Sequence, residues 1–407
     1  MTGKHVVVVG AGHAGGTLAA LLRRDGFDGP ITVIGAEIDP PYHRPPLSKS
    51  FADDSVKWLY GANFYAEQDI TLQLGQMVLD VDAAAKQVQL GTGAVIDYDI
   101  LVLATGAEPR RLPLPGDTLA GIHTLRERGD ASVLREAFNI GRPLVIIGGG
   151  YIGLEVAAAA RALGVEVTIL EREERILGRV ASPALSELLS AYHREQGTEI
   201  RTGVEIAGFR CDRGFAGGVE LANGQSIECG TVLVGAGATP RVDLAKRIGL
   251  ELQNGITVDD SGRTNDPSIY AIGDVSNRPV DTQFSIVGRM RLESIPSAVE
   301  QARHVAEAIM GKPRTPDDVP WFWSDQFDLK LKIAGIVYGE YETAVRGDPG
   351  SGSYSLFHHA NGRLVAAETV NASREFMVAK RILATRGSDG SPANFDPTAD
   401  LLQLVRN

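Results

Sequence analysis

Residues Val6–Glu37 read VVVVGAGHAGGTLAALLRRDGFDGPITVIGAE. Four consecutive valines, Val6–Val9, form an apolar run without alternation, as in a strand buried on both faces. Gly10, Gly12 and Gly15 follow at GxGxxG spacing, then a helical run over Thr17–Arg24 and a second apolar strand over Ile31–Ile34. Glu37 lies 22 residues after Gly15 (37 − 15). Strand, glycine turn, helix, strand and acid in this order describe a dinucleotide-binding unit. The first glycine makes the tight turn, the second lets a pyrophosphate approach the backbone, and the third lets helix and strand pack closely. The helix N-terminus turns free N–H groups toward the phosphate, and the acid suits a ribose hydroxyl.

The pattern recurs. Leu144–Ile147 is a second buried strand, followed by Gly148, Gly150 and Gly153, a helical run over Leu154–Leu163, a strand over Val165–Leu170, and Glu171. Hairpins follow in both copies: 86–98 turning at Gly91–Gly93, and 218–229 turning at Asn223–Gly224. Each copy then closes with a buried strand and a glycine turn, Ile100–Leu103 into Ala104, Thr105 and Gly106, and Thr231–Val234 into Gly235, Ala236 and Gly237. The offsets between copies are 138 (148 − 10), 134 (171 − 37) and 131 (237 − 106), so the unit is duplicated and two dinucleotides are expected.

The remainder is less regular. Pro40–Lys49 is proline-rich and too irregular for helix or strand, a rigid segment that can hold side chains in fixed positions. Ile269–Ile272 is a short strand delivering Gly273 and Asp274 at its carboxyl end, where open α/β sheets meet their ligands. Ser294–Met310 is an amphipathic helix, with Pro296 tolerated in its first turn. From Pro320 the pattern changes to several strands, a two-residue turn at Asn361–Gly362, and a last helix capped by Ser373. The fold class is α/β: two Rossmann-like units plus a C-terminal α+β domain, followed by a polar tail after Gly387.

The chain of 407 residues carries a net charge of −11, which argues against general binding of nucleic acid or acidic membranes. No apolar run reaches the length of a membrane span, and the first core strand begins too early for a signal peptide; a cytoplasmic protein is expected. Cys211 and Cys229 make neither a disulfide framework nor a metal site.

GAGHAG, YHRPPLSK, LATGAEPR, GGGYIGLE, GAGATP, IYAIGD, RLESIPSAVEQA and WFWSDQ, in this order along nearly the whole chain, resemble the FAD-dependent NADH–ferredoxin reductases that serve haem monooxygenases and ring-hydroxylating dioxygenases. The resemblance implies an FAD domain from residues 1–113 and 240–319, an NAD domain at 114–239 and a C-terminal domain at 320–407. It implies FAD contacts from Gly10, Gly12, His13, Ala14, Gly15, Glu37, Arg44, Pro45, Lys49, Ala104, Thr105, Gly106, Arg126, Gly273, Asp274 and Trp323. NADH contacts would come from Gly148, Gly150, Tyr151, Ile152, Gly153, Glu155, Glu171, Gly235, Ala236 and Gly237. Glu171 would repel a 2′-phosphate and favour NADH over NADPH, although Arg172 and Arg175 weaken that preference. Lys49 and Glu155 are implied as an ion pair beside the flavin. Tyr151 reads either as a cover over the flavin or as packing at a helix start. Trp323 reads either as an aromatic near flavin and ferredoxin or, like Trp321, as core.

The implied activity carries electrons from NADH through FAD to a [2Fe–2S] ferredoxin, and through it to a terminal oxygenase. A hydride delivers two electrons and the cluster takes one, and a flavin can do the splitting. Arg289, Arg291, Arg303, Lys312, Arg314, Lys330 and Lys332 form a basic stretch that would suit an acidic partner. Rubredoxin reductases and non-enzymatic NADH-responsive proteins resembling apoptosis-inducing factor share the layout. Disulfide reductases, NADH oxidases and NADH peroxidases also share it, but need a cysteine beside the flavin, and neither Cys211 nor Cys229 lies near the FAD segments.

Overall fold

The computed structural model describes residues 3–52, 54–61, 63–280, 288–385 and 395. The polar tail after Gly387 lies outside the described residues apart from Phe395. Two compact units are distinguished, Met1–His43 with Val56–Glu108 and Pro240–Phe322, and Arg44–Ser55 with Pro109–Thr239 and Trp323–Asn407.

The first unit is built on a five-stranded parallel sheet in the order Ile269–Ala271, Ile100–Leu103, Val6–Val9, Ile31–Ile34, Ile70–Gln73. Val6 sits opposite Ile31 on one side and Ile100 on the other, so the valine run is the central strand. Successive side chains of a strand point to opposite faces. Val6 and Val8 enter a core with Leu18, Leu22 and Val305, supplied by the helices His13–Arg24 and Ile295–Met310. Val7 and Val9 enter the opposite core with Val81 and Val88, supplied by an antiparallel layer of Val78–Asp82, Gln87–Leu90 and Val95–Asp97. All four valines are buried, each stabilising the fold by about 2 kcal/mol. Ser294 caps the helix Ile295–Met310 by accepting from the Ser297 N–H.

The second unit repeats the plan, with parallel strands in the order Thr198–Arg201, Val167–Leu170, Leu144–Ile147, Thr231–Val234, Ile122–His123. Ile206–Asp212, Phe215–Leu221 and Ser226–Glu228 form its antiparallel layer. In both layers the hairpin is as expected, but a third strand precedes it, unseen in the sequence. Asp80 and Asp82 in one, and Arg210 and Asp212 in the other, mask the pattern, and each strand carries a bulge. The C-terminal sheet is antiparallel, in the order Trp321–Gln326, Leu329–Gly335, Arg363–Val370, Ser353–Ala360, Glu342–Asp348. Asn361 and Gly362 both have positive φ, 52° and 70°, as a tight hairpin turn requires. The helix Ser373–Ala384 packs Phe376, Ala379 and Leu383 inward.

Two local expectations are corrected. Pro40–Lys49 is not wholly irregular: Pro46–Lys49 form one helical turn with proline at its start, and Tyr42 bridges Trp58. Ser373 does not cap its helix. Ala372 holds that position, while the Ser373 hydroxyl lies 3.0 Å from Lys332 Nζ.

Candidate functional site

The two glycine turns share one geometry. A Cβ at Gly10 would lie 2.1 Å from the Ala104 carbonyl oxygen, and one at Gly148 would lie 2.4 Å from that of Gly235. A Cβ at Gly15 or Gly153 would strike the carbonyl oxygen of Gly10 or Gly148, at 2.0 and 2.4 Å. At Gly12 and Gly150 it would meet nothing within 4 Å. The first and third glycines are thus closed by backbone, and the middle glycine faces open space at the N-terminus of a helix, His13–Arg24 or Tyr151–Ala162. That is where a pyrophosphate approaches. These cradles fit two dinucleotides.

The acids are held differently. Glu37 accepts from the Tyr42 hydroxyl at 2.6 Å. Glu171 accepts from the backbone N–H of Gly149 at 2.7 Å and of Glu173 at 2.9 Å, which fixes both oxygens beside the second cradle. Arg175 is spent on the carbonyls of Gly178, Ala181 and Ser182, and Arg172 lies beside Glu173 with 80% of its side chain exposed. Ala104, Thr105 and Gly106 form the turn after the strand Ile100–Leu103, with the Thr105 hydroxyl on the Arg241 carbonyl. Gly273 has φ 76°, a Cβ there would lie 3.0 Å from that of Ala14, and its N–H is held by Gln301. Asp274 follows in the same 3-10 turn. His13 is buried, with its Nε2 3.3 Å from His43 Nδ1.

Of the expected FAD residues, Arg44, Pro45, Lys49, Arg126 and Trp323 belong to the second unit and the others to the first. Arg44 donates to the Arg126 carbonyl at 2.7 Å. In the second unit Lys49 Nζ lies 2.5 Å from Glu155 Oε1, with 16% and 4% of the side chains exposed. The pair is not alone. Ser324 donates to Glu155 Oε1 at 2.6 Å, Ser48 donates to Oε2 at 2.5 Å, and Asp325 lies 3.5 Å from Lys49. Ser48, Ser324 and Asp325 do not stand out in the sequence as partners of the pair, because serine and aspartate are commonplace there. Only adjacency to Lys49 and to Trp323 marked them. A buried ion pair needs such extra hydrogen bonds to offset its desolvation.

Tyr151 opens the second cradle's helix, and burial together with Glu368 and Glu155 raises its hydroxyl well above the usual phenol range. Ile152 is exposed, whereas Gly153 is buried. Gly235, Ala236 and Gly237 form the turn after Thr231–Val234, with Gly237 at φ 95°. Trp321 and Trp323 are both half-buried. Glu368, fully buried, accepts from the Ser182 N–H and lies 2.9 Å from His358 Nε2, a link within the second unit that the sequence did not suggest.

The basic stretch is charge-balanced. Arg291 pairs with Glu293, Arg303 with Asp318, Lys312 with Asp25, Arg314 with Asp317 and Lys330 with Asp325. Arg289 donates to the Val258 and Asn277 carbonyls, and Lys332 contacts Ser373 and the Phe376 ring. Glu300, His304 and Asp317 converge, but Arg278 and Arg314 already occupy the two carboxylates. Cys211 is exposed and Cys229 is buried, and both are free thiols. Among the described residues, no helix is long and apolar enough to cross a membrane.

Residues 4–302 match the model of the pyridine nucleotide-disulphide oxidoreductase family, and residues 321–405 match the reductase C-terminal domain. A probable ferredoxin reductase of Castellaniella defragrans is 41% identical over 99% of both chains. Rhodocoxin reductase of Rhodococcus erythropolis is 41% identical over 93% of this chain and 89% of its own. The crystal structure of the covalent putidaredoxin reductase–putidaredoxin complex superposes with a TM-score of 0.94 at 36% identity, covering 99% of this chain and 98% of that one. The chain belongs to the pyridine nucleotide-disulphide oxidoreductases, among their FAD- and NAD(H)-dependent ferredoxin reductases.

Proposed function

We propose that this flavoprotein draws electrons from NADH and passes them singly to a [2Fe–2S] ferredoxin of a haem monooxygenase or ring-hydroxylating dioxygenase system, in the cytoplasm. The observation that carries this is the pair of open glycine cradles, at Gly12 and Gly150, in a chain whose two cysteines are free. Bound FAD supplies a ring that accepts the two electrons of a hydride and gives them up one at a time. Gly10–Gly15, Glu37, Thr105 and Asp274 would hold FAD, and Gly148–Gly153 with Glu171 would hold NADH. The FAD domain would comprise 1–113 and 240–319, the NAD domain 114–239, and the C-terminal domain 320–407. Glu171 turns away a 2′-phosphate, with Arg175 engaged elsewhere. Lys49 serves the flavin ring with positive charge, and Glu155 orients and balances it.

The test is NADH-driven cytochrome c reduction by the purified protein, with and without a [2Fe–2S] ferredoxin from the same source. A large rise on adding ferredoxin is expected. Steady NADH consumption in air with no such rise would instead identify an oxidase.

A further inference from the structure

We propose that Ser324, Gln326 and His193 form a one-way hydrogen-bond relay that positions Glu155, and through it Lys49. The proposal rests on the role given above to that pair. Ser324 and Gln326 alternate on the strand Trp321–Gln326 and share one face, and both are fully buried. His193, on the helix Pro183–Glu195, is fully buried as well. The chain is continuous: Ser324 Oγ lies 2.6 Å from Glu155 Oε1, Gln326 Nε2 lies 3.1 Å from Ser324 Oγ, and His193 Nε2 lies 2.9 Å from Gln326 Oε1.

Proton accounting gives the chain its direction. An ionised carboxylate only accepts, so Ser324 spends its single proton on Glu155. Ser324 must then accept from Gln326, which turns the amide nitrogen toward Ser324 and the amide oxygen toward His193. The imidazole therefore donates from Nε2. A second observation agrees. Among the described residues, His193 Nδ1 has no hydrogen-bond partner. On the opposite tautomer Nδ1 would carry a buried, orphaned N–H, costlier to leave unpaired than a bare ring nitrogen. Burial pushes the imidazole down to about 4, against the Gln326 bond, so the ring is neutral near pH 7. Phe327 closes edge-on over the ring at 5.1 Å, and the neighbouring Tyr192 hydroxyl is tied to Asp328. The terminal donor is thus anchored, and Ser324, Ser48 and Lys49 together hold the Glu155 carboxylate.

The decisive readout is the His193 tautomer in holoenzyme carrying 15N-labelled histidine, with its resonance identified by loss in His193→Gln. The relay requires the proton on Nε2 at pH 7. A neutral ring with its proton on Nδ1 overturns it. Function is read by single-turnover flavin reduction. His193→Leu, which removes the donor, should slow reduction about tenfold while the NADH dissociation constant moves less than about twofold. His193→Gln, which keeps an N–H donor, should recover to within about threefold of wild type. A folded His193→Leu at the wild-type rate refutes positioning. Lys49→Met, run alongside, separates the failures. If it slows reduction and His193→Leu does not, the relay alone is wrong. If neither slows it, the role of the pair is wrong and the relay's function falls with it. Should His193→Leu fail to fold, the tautomer in the wild-type protein decides.

Discussion

The two cradles are copies of one device, and they differ two residues past the third glycine. In the first copy that position is Thr17, which is buried. In the second it is Glu155, buried at 4% exposure and met by Lys49, Ser48 and Ser324. The three glycines of each cradle are packed alike in the two copies. The fold thus tolerates a neutral residue at this point, and the second copy departs from it by burying a charge. Burying a charge costs several kcal/mol unless partners surround it. This buried charge, supplied with three donors where the other copy has a neutral residue, is what supports the role proposed for Glu155.

The largest effect should come from closing each cradle in turn. Gly10→Val should yield protein that no longer retains FAD, because the side chain meets the Ala104 carbonyl. Gly153→Val should stay yellow but resist reduction by NADH, through the Gly148 carbonyl. Absorbance of the purified proteins before and after NADH checks both, and the reverse outcome would exchange the two assignments.

Next is the contrast between Glu155 and Thr17. Glu155→Leu leaves Lys49 without its closest partner and should lower unfolding free energy by about 3 kcal/mol, whereas Thr17→Val should cost about 1 kcal/mol. Urea titrations of the two variants compare them directly. Lys49→Met should slow flavin reduction by NADH about a hundredfold while FAD binding changes little. An unchanged reduction rate would remove Lys49 from the chemistry.

Acid should weaken the molecule through its buried histidines. Burial pushes His193, His304 and His359 each down to about 4. The unfolded chain takes up protons below about 6.5, so stability is full above that pH and falls as pH drops from 6.5 toward 4. Each histidine contributes up to roughly 3 kcal/mol to this loss. His193 and His359 are in the second unit and His304 in the first, so the second should give way first. Urea midpoints at pH 7.0 and 5.0, followed by fluorescence and by flavin release, test the order.

The smallest effect concerns the basic stretch. Because Lys312 is already paired with Asp25, Lys312→Gln should change ferredoxin reduction less than about twofold, measured by stopped flow at two salt concentrations.

Much of this architecture was legible from the chain alone. Val6–Val9, the spaced glycines and the acids Glu37 and Glu171 encode local demands: two-sided burial, a tight turn, close packing and an acceptor. The valine run reads correctly because its neighbours in sequence already imply a sheet covered on both faces. The third strands were hidden, since Asp80, Asp82, Arg210 and Asp212 face out and break the apolar pattern. Ser373 read as a helix cap on residue type alone, but its hydroxyl lies against Lys332, from a strand 41 residues earlier.

The sequence by itself determined two dinucleotide cradles and their order, because each cradle's parts lie within about one strand–helix–strand unit and depend on local backbone geometry. It also suggested the Lys49–Glu155 pair, but only through resemblance. Tertiary structure decided what surrounds that pair. Ser48 lies 107 residues from Glu155, Ser324 lies 169 residues from it, and Gln326 lies 133 residues from His193. No local propensity links such residues. Their hydrogen bonds exist only after the second parallel sheet and the C-terminal sheet have packed within one unit and excluded water from the carboxylate.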